Sequence, residues 1–397
     1  MKAVVRTTLI VVCVIAIAIG GAVAYQLFQT PQAGSEGGAQ GGQVQEGGRE
    51  GQQGGGETVQ EKLVSLEGAG ATFPFPLIDK WITEYNKVKP NVLINYKPIG
   101  SGGGIRAHME KTAHFAVSDV PLSPSQYRNA SGSLHIPLTI GGVVPIYNIP
   151  GITKMLNFTG AVLAKIYLGE ITKWNNPELV ALNPGVSLPD KDIIVVRRAD
   201  ASGTTFIWTS YLSAVSQSWR EKVGAGTSVN WPTGLGAKGN DGVAATVKQT
   251  PYSIGYVEFT YAKTNDLTYG RVRNAAGEFV EPSIESFMKA AAITLPRGDE
   301  SWSGVSIVSS IVNNREARGV YPITSFSYFI VYRELSVFQD MDLDKAKALV
   351  YFLWWCMHEG QRYAAELYYV PLPSNVIKIN EETIRMITFN GVQVYGG

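Results

Sequence analysis

Three times along this chain, a short apolar run is broken by a glycine-rich turn and then resumes with helical spacing. Residues 92–96, Val-Leu-Ile-Asn-Tyr, alternate as a short strand; the glycines of 100–104 break it; residues 105–110 continue with a helical period. Residues 193–196, Ile-Ile-Val-Val, read as a buried strand, followed by a Ser202-Gly203-Thr204 turn and an apolar-faced helix over 206–215. A third copy is Gly68-Ala69-Gly70-Ala71-Thr72-Phe73, followed by Pro74 and Pro76 and an amphipathic helix over 77–87. Strand, turn and helix start aim free backbone N–H groups at one point, the layout that holds an anion. Each copy alone is an ordinary N-cap or turn; three together suggest convergence on one ligand.

Candidate chemistry sharpens the picture. Residues 101–104, Asp119 and the run 197–205 combine an anion cradle with a carboxylate. A carboxylate beside an anion repels it unless the anion carries a proton. That points to a protonated oxyanion, for which phosphate is the obvious candidate.

The segments EGAGATFPFPLIDKW (67–81), IGSGGG (99–104), SDVPLS (118–123), TIGGVVPIYNIPG (139–151), IYLGEITKWNNP (166–177), VVRRADASGTTFIWTSYL (195–212), GLGAKGNDGVAATV (234–247) and SIGYVEFTYA (253–262) follow one another in order. Together they resemble the phosphate-binding receptors of high-affinity phosphate ABC importers, and the likeness continues through YPITSFSYFIVYR (321–333) to about residue 375. The resemblance implies an α/β, two-lobed periplasmic binding-protein fold of type II. Each lobe would be a mixed sheet flanked by helices, with two crossover hinge segments near residues 137–144 and 321–326. The expected organisation is lobe I from 59–138, lobe II from 139–321 and the rest of lobe I from 322–397. It also implies a phosphate-binding set of Thr72, Phe73, Ser101, Asp119, Arg198, Ser202, Gly203 and Thr204. Hydroxyl groups and the backbone N–H groups of Phe73, Gly203 and Thr204 would donate, Arg198 would supply the full charge, and Asp200 would orient Arg198. Two residues depart from the family pattern: Ala201 stands where glycine is common, and Gly102 where a second serine often follows Ser101.

The N-terminus bears on location. Lys2 and Arg6 precede an uncharged apolar stretch over residues 9–28, long enough at about 1.5 Å per residue to span a bilayer. The charge pattern places the N-terminus inside and the body outside. A membrane anchor over 1–29 is the favoured expectation, with a signal peptide cleaved after Ala22-Val23-Ala24 as the alternative. Residues 30–58 contain eleven Gly and six Gln and almost nothing aliphatic, so they read as a flexible tether with a reach of about 30 Å.

Other features narrow the function classes. The formal net charge is +1, without a basic stripe, which argues against nucleic acid as a partner. Cys13 lies in the N-terminal apolar run and Cys356 in an apolar stretch, so no disulfide is expected in the folded body. His108, His114, His135 and His358 lack metal-ligand spacing, and no metal or cofactor is expected. Residues 351–355 read as a core helix, Trp174 as an aromatic plug at a helix exit, and 234–240 as a loop able to line a cleft. Expected partners are inorganic phosphate and the transmembrane subunits of an importer, with the receptor a monomer. A phosphatase is the rival from another class, but Ser202 has neither a G-x-S-x-G context nor an assigned base. A receptor for sulfate, molybdate or tungstate is the other; those anions offer Asp119 no proton, whereas arsenate does.

Overall fold

In the computed structural model of the chain, residues 62–396 are described. The expected N-terminal anchor, the tether and Cys13 lie outside them. Among the described residues no helix is long and apolar enough to cross a membrane.

The first half alternates as its pattern predicts: β1 (Val64–Gly70), α1 (Phe75–Val88), β2 (Val92–Pro98), α2 (Ser101–Met109), β3 (Phe115–Ser118) and the long β4 (Ser133–Asn148). Then come α3 (Gly160–Tyr167), β5 (Ile194–Arg198), α4 (Gly203–Val215), β6 (Leu235–Ala237), α5 (Gly239–Gln249), β7 (Ser253–Glu258), α6 (Phe259–Thr264), β8 (Thr324–Tyr332) and α7 (Leu343–Met357). Three expected helices start earlier than their apolar spacing suggests, α1 by two residues at Phe75. Gly102, Gly103 and Gly104 form the first turn of α2, with only Gly100 at positive φ, and α4 begins at Gly203 instead of Phe206. A helix's first turn is solvent- or ligand-facing and carries no apolar period, which is why periodicity misses it.

The strands form one mixed sheet in the order β2-β1-β3-β8-β4-β7-β5-β6. Its two halves share β4. Residues 133–142 of β4 pair antiparallel with β8, and residues 143–148 pair antiparallel with β7, so one strand serves both lobes of the fold. Ile323 accepts from the Val143 N–H at 2.8 Å, bringing the start of β8 back to the same switch point. Along β8 the register shifts between Ser327 and Tyr328, opposite Thr139 and Pro137. Proline cannot donate to a ladder, and a bulge at such a position bends the strand and re-aims its side chains.

Aromatic side chains fill the half built on β1–β3 and β8. Phe329 meets Trp81, Phe115 and Phe352 at ring-centroid distances of 6.2, 5.7 and 6.3 Å. The Trp81 indole donates to the Gly360 carbonyl at 2.7 Å, so the ring is buried without an orphaned N–H. The apolar run 351–355 is part of α7, a core helix, and Cys356 is buried and unpaired. In the other half, Trp208 stacks on Tyr256 at 5.0 Å, and Trp174 is fully buried with its indole donating to the Tyr252 carbonyl.

Candidate anion-binding site

Chain ends of strands and first turns of helices converge at the switch point of the sheet. Thr72 and Phe73 follow β1, Ser101 opens α2, Asp119 follows β3, Arg198 ends β5, and Ser202 caps α4, whose first two residues are Gly203 and Thr204. All eight are buried: Thr72, Asp119 and Arg198 expose only 5%, 3% and 2% of their surface. The two helix starts are in contact. A Cβ added to Gly203 would fall on the Asp119 carboxylate and the Ser101 hydroxyl, closer than any real Cβ approaches. Gly203 is therefore the residue that lets the two lobes close on each other here.

Asp119 is tied down from three directions. Its backbone N–H donates to Ser101 Oγ at 3.1 Å, the same hydroxyl donates to Oδ2 at 3.2 Å, and Ser327 Oγ donates to Oδ1 at 2.6 Å. Burial pushes the carboxyl up to about 7, against the smaller pull of the two serines and the Arg198 charge. Near neutral pH this group can therefore give or take a proton. Ser101, expected to donate to an anion, here spends its proton on Asp119. Ser327 was not singled out from the sequence; it lies in an apolar strand, and the bulge beside it carries no glycine or turn signal.

Arg198 supplies the charge. Its Nε donates to Asp200 Oδ1 at 2.8 Å and its Nη2 donates to Oδ2, an ion pair that fixes the guanidinium plane. Asp200 also accepts from the Gly239 N–H at 3.1 Å. Burial works against ionisation of Asp200, but the Arg198 bonds and charge outweigh it and hold the carboxyl below its usual range. The remaining nitrogen of the fork, Nη1, is buried without a partner among the described residues. An anion oxygen would satisfy it.

Asn240 joins the cradles. Its Nδ2 donates to Thr72 Oγ1 at 3.0 Å and to Thr204 Oγ1 at 3.1 Å, and its N–H donates to Thr72 Oγ1 at 3.3 Å. Ser202 Oγ accepts from the Thr205 N–H at 3.1 Å. Because all three hydroxyl oxygens act as acceptors, their protons remain free to donate. The amides of Gly203 and Thr204, at the first turn of α4, likewise have no helical acceptor. The stretch 234–240, expected as a loop, is instead β6 and the start of α5, and Asn240 sits in the first turn of that helix; asparagine in a glycine-rich run reads as a turn residue, and only the tertiary contact shows its role.

Ala201 and Gly102 account for each other. Ala201 does not need positive φ, and a Cβ at Gly102 would lie 2.5 Å from the Ala201 Cβ. The Gly102 N–H donates to the Ala201 carbonyl at 3.0 Å, so the small residue at 102 accommodates the larger one at 201 while the backbone link between helix starts persists.

A second buried carboxyl, Glu258, lies at the end of β7. It accepts from the Thr260 N–H at 2.9 Å and stands 3.1 Å from Tyr369 Oη, whose proton also faces the Phe73 carbonyl at 2.7 Å. The phenol proton is shared between these two acceptors, and burial pushes the Glu258 carboxyl well above its ordinary value against the pull of Thr260 and Tyr369.

Two lobes sharing a strand, with a single cation and many uncharged donors at their junction, define a binding protein of the periplasmic two-lobed class. The model of the PBP superfamily domain matches residues 38–354. The phosphate-binding protein PstS of Xylella fastidiosa strain Temecula1 is 45% identical over 80% of this chain and 84% of its own length. PstS of Methanocaldococcus jannaschii is 38% identical over 82% and 86%. A phosphate-binding protein from Stenotrophomonas maltophilia shares the fold with a TM-score of 0.58 at 17% identity, covering 80% of this chain and 93% of that one. The chain belongs to the PstS family of phosphate-binding proteins within the PBP superfamily.

The raised Asp119 carboxyl predicts a pH signature of stability. In the unfolded chain it ionises at its ordinary 3.8, in the closed fold at about 7. Its contribution is therefore complete below 3.8 and is lost as pH rises to about 7, because only the unfolded chain gains from ionisation. Relative to Asp119→Asn, the wild-type melting temperature should fall across that interval and then level off. Thermal melts of both proteins in phosphate-free buffers check this; parallel curves would contradict it.

Proposed function

We propose that this chain is an extracytoplasmic receptor that binds inorganic phosphate between its lobes and presents it to the transmembrane subunits of an ABC importer. It acts as a receptor and not as an enzyme. The observation that carries the reading is the pairing of Arg198, with its free buried Nη1, and Asp119, held by two serines in a dry junction. Arg198 attracts an anion, and the carboxylate form of Asp119 admits only one that brings a proton. Phosphate brings a proton; sulfate, molybdate and tungstate do not, and arsenate fits as phosphate does.

The proposed ligand set is Thr72, Phe73, Ser101, Asp119, Arg198, Ser202, Gly203 and Thr204, with Asn240 and Ser327 added as the groups that orient its hydroxyls and its carboxylate. Since these side chains are buried, an anion reaches them only when the lobes separate, and contacts from both lobes then favour closure. Lobe limits at 59–138, 139–321 and 322–397 accord with the strand switch at β4 and the return at β8. The receptor works as a monomer held at the membrane by residues 9–28, the tether over 30–58 leaving the body free to turn.

Two experiments check this reading. Calorimetric titration with phosphate should show Arg198→Ala weakened by about one to two decades, since a charge-assisted bond contributes about 1.5–3 kcal/mol. Unchanged affinity would remove Arg198 from the site. For the anchor, the native protein should sediment with membranes and resist a high-salt wash; a mature N-terminus at Tyr25 by mass spectrometry would replace the anchor with a cleaved signal.

A further inference from the structure

The turn between β1 and α1 carries two of the proposed phosphate ligands, Thr72 and Phe73, and its carbonyls are held in a row. Tyr96 Oη donates to the Ala71 carbonyl at 2.8 Å, Tyr261 Oη to the Thr72 carbonyl at 2.6 Å and Tyr369 Oη to the Phe73 carbonyl at 2.7 Å. The three phenols come from β2, from α6 and from the stretch after α7, so three segments far apart in the chain meet one short turn.

The middle phenol has the largest consequence. A peptide is planar and trans, so the Thr72 carbonyl and the Phe73 N–H share one plane and point in opposite directions. Tyr261 holds the carbonyl and thereby aims the N–H. Phe73 is fully buried and its N–H has no acceptor among the described residues, which leaves that proton for a ligand. The Phe75 N–H also reaches the Thr72 carbonyl, but at 3.3 Å, so the phenol is the closer partner. A bond to the carbonyl polarises the amide and strengthens its donation. Burial, with Glu258 nearby, holds the Tyr261 phenol well above its ordinary range, so it remains a donor at neutral pH.

Tyr96 and Tyr369 hold the flanks of the turn from its own proposed lobe, whereas Tyr261 reaches it from the other. Its neighbour Thr260 crosses the same boundary, donating from Oγ1 to the Leu367 carbonyl at 2.6 Å. Tyr369 shares its proton with Glu258, but the Tyr261 phenol has the Thr72 carbonyl alone among the described residues. On the phosphate reading proposed above, we infer that Tyr261 is a positioning residue of the site: from lobe II, its phenol sets the Thr72–Phe73 peptide of lobe I so that the Phe73 N–H donates to the bound anion.

The test uses the full chain in detergent and inorganic phosphate. Labelling threonine carbonyls and phenylalanine nitrogens with NMR-active isotopes isolates the amides of Phe73, Phe206 and Phe389, the phenylalanines that follow a threonine. Phosphate should move the Phe73 amide proton downfield in the wild type. In Tyr261→Phe, which keeps the ring, that movement should shrink, and calorimetry should show phosphate affinity weakened about three- to tenfold, the loss of one neutral hydrogen bond. Tyr147→Phe removes a phenol that donates to the Lys154 carbonyl at 3.0 Å at the far end of β4, and should leave both readings unchanged. Should Tyr261→Phe not fold, Tyr96→Phe, on a half-buried ring, should show the same two changes in smaller measure. Wild-type affinity together with an unchanged Phe73 signal in the folded variant overturns the assignment, as do equal losses in Tyr147→Phe. A wild type that does not bind phosphate overturns the functional reading itself, before any variant is compared, and this role with it.

Discussion

Asp119 is a carboxyl group enclosed between two helix starts, too deeply buried to ionise freely and too close to a cation to be simply neutral. Everything around it follows from that conflict. Burial raises its proton affinity, Ser101 and Ser327 hold its two oxygens, and Arg198 pulls the balance back. A group poised in this way reads the protonation of whatever is placed beside it. Arg198 and uncharged donors alone would suit any small oxyanion; on the reading proposed above, the carboxyl makes the junction sensitive to a proton on that anion.

The fold supplies the means of bringing these groups together and releasing them. Because β4 belongs to both halves of the sheet, the lobes are connected through continuous hydrogen-bonded strand, whose partner changes from β8 to β7 between residues 142 and 143. Asn240 spans the junction by donating to Thr72 on one side and Thr204 on the other. Of these, the bond to Thr72 joins different lobes and exists only with them together, so it adds to the closed state alone. Glu258, whose proton affinity burial raises, lies at the same crossing with Tyr369 Oη 3.1 Å away.

Local signals in the sequence were sufficient for the cradles. The strand-turn-helix pattern marks Thr72, Ser101 and Ser202 to Thr204 because the chemistry of a helix start is local, and Arg198 with Asp200 are close neighbours in the chain. Asp119 stood out as a carboxylate beside the cradles, and the likeness to a receptor family added the two-lobed fold. Ser327 and Asn240 escaped because their roles are set by pairing across 208 and 168 residues of chain. Ser327 sits within an apolar strand, re-aimed by a bulge opposite Pro137 that no feature of its own strand announces. Glu258 escaped for a different reason: a lone acid at a strand end ordinarily reads as a solvated helix cap, and it does cap α6, but the burial that raises its proton affinity is a tertiary property.

The central claim is that Asp119 selects by proton. Phosphate carries its own proton at every relevant pH, whereas sulfate can sit beside Asp119 only when the carboxyl is protonated. Calorimetric affinities for phosphate and sulfate, measured in one buffer system from pH 6 to 9, test this directly. The phosphate-to-sulfate ratio of the wild type should rise above pH 7 by about tenfold per unit, the linkage expected when sulfate binding must take up one proton. In Asp119→Asn the ratio should be nearly flat. A wild-type ratio that does not change with pH, or that changes equally in Asp119→Asn, would contradict the account.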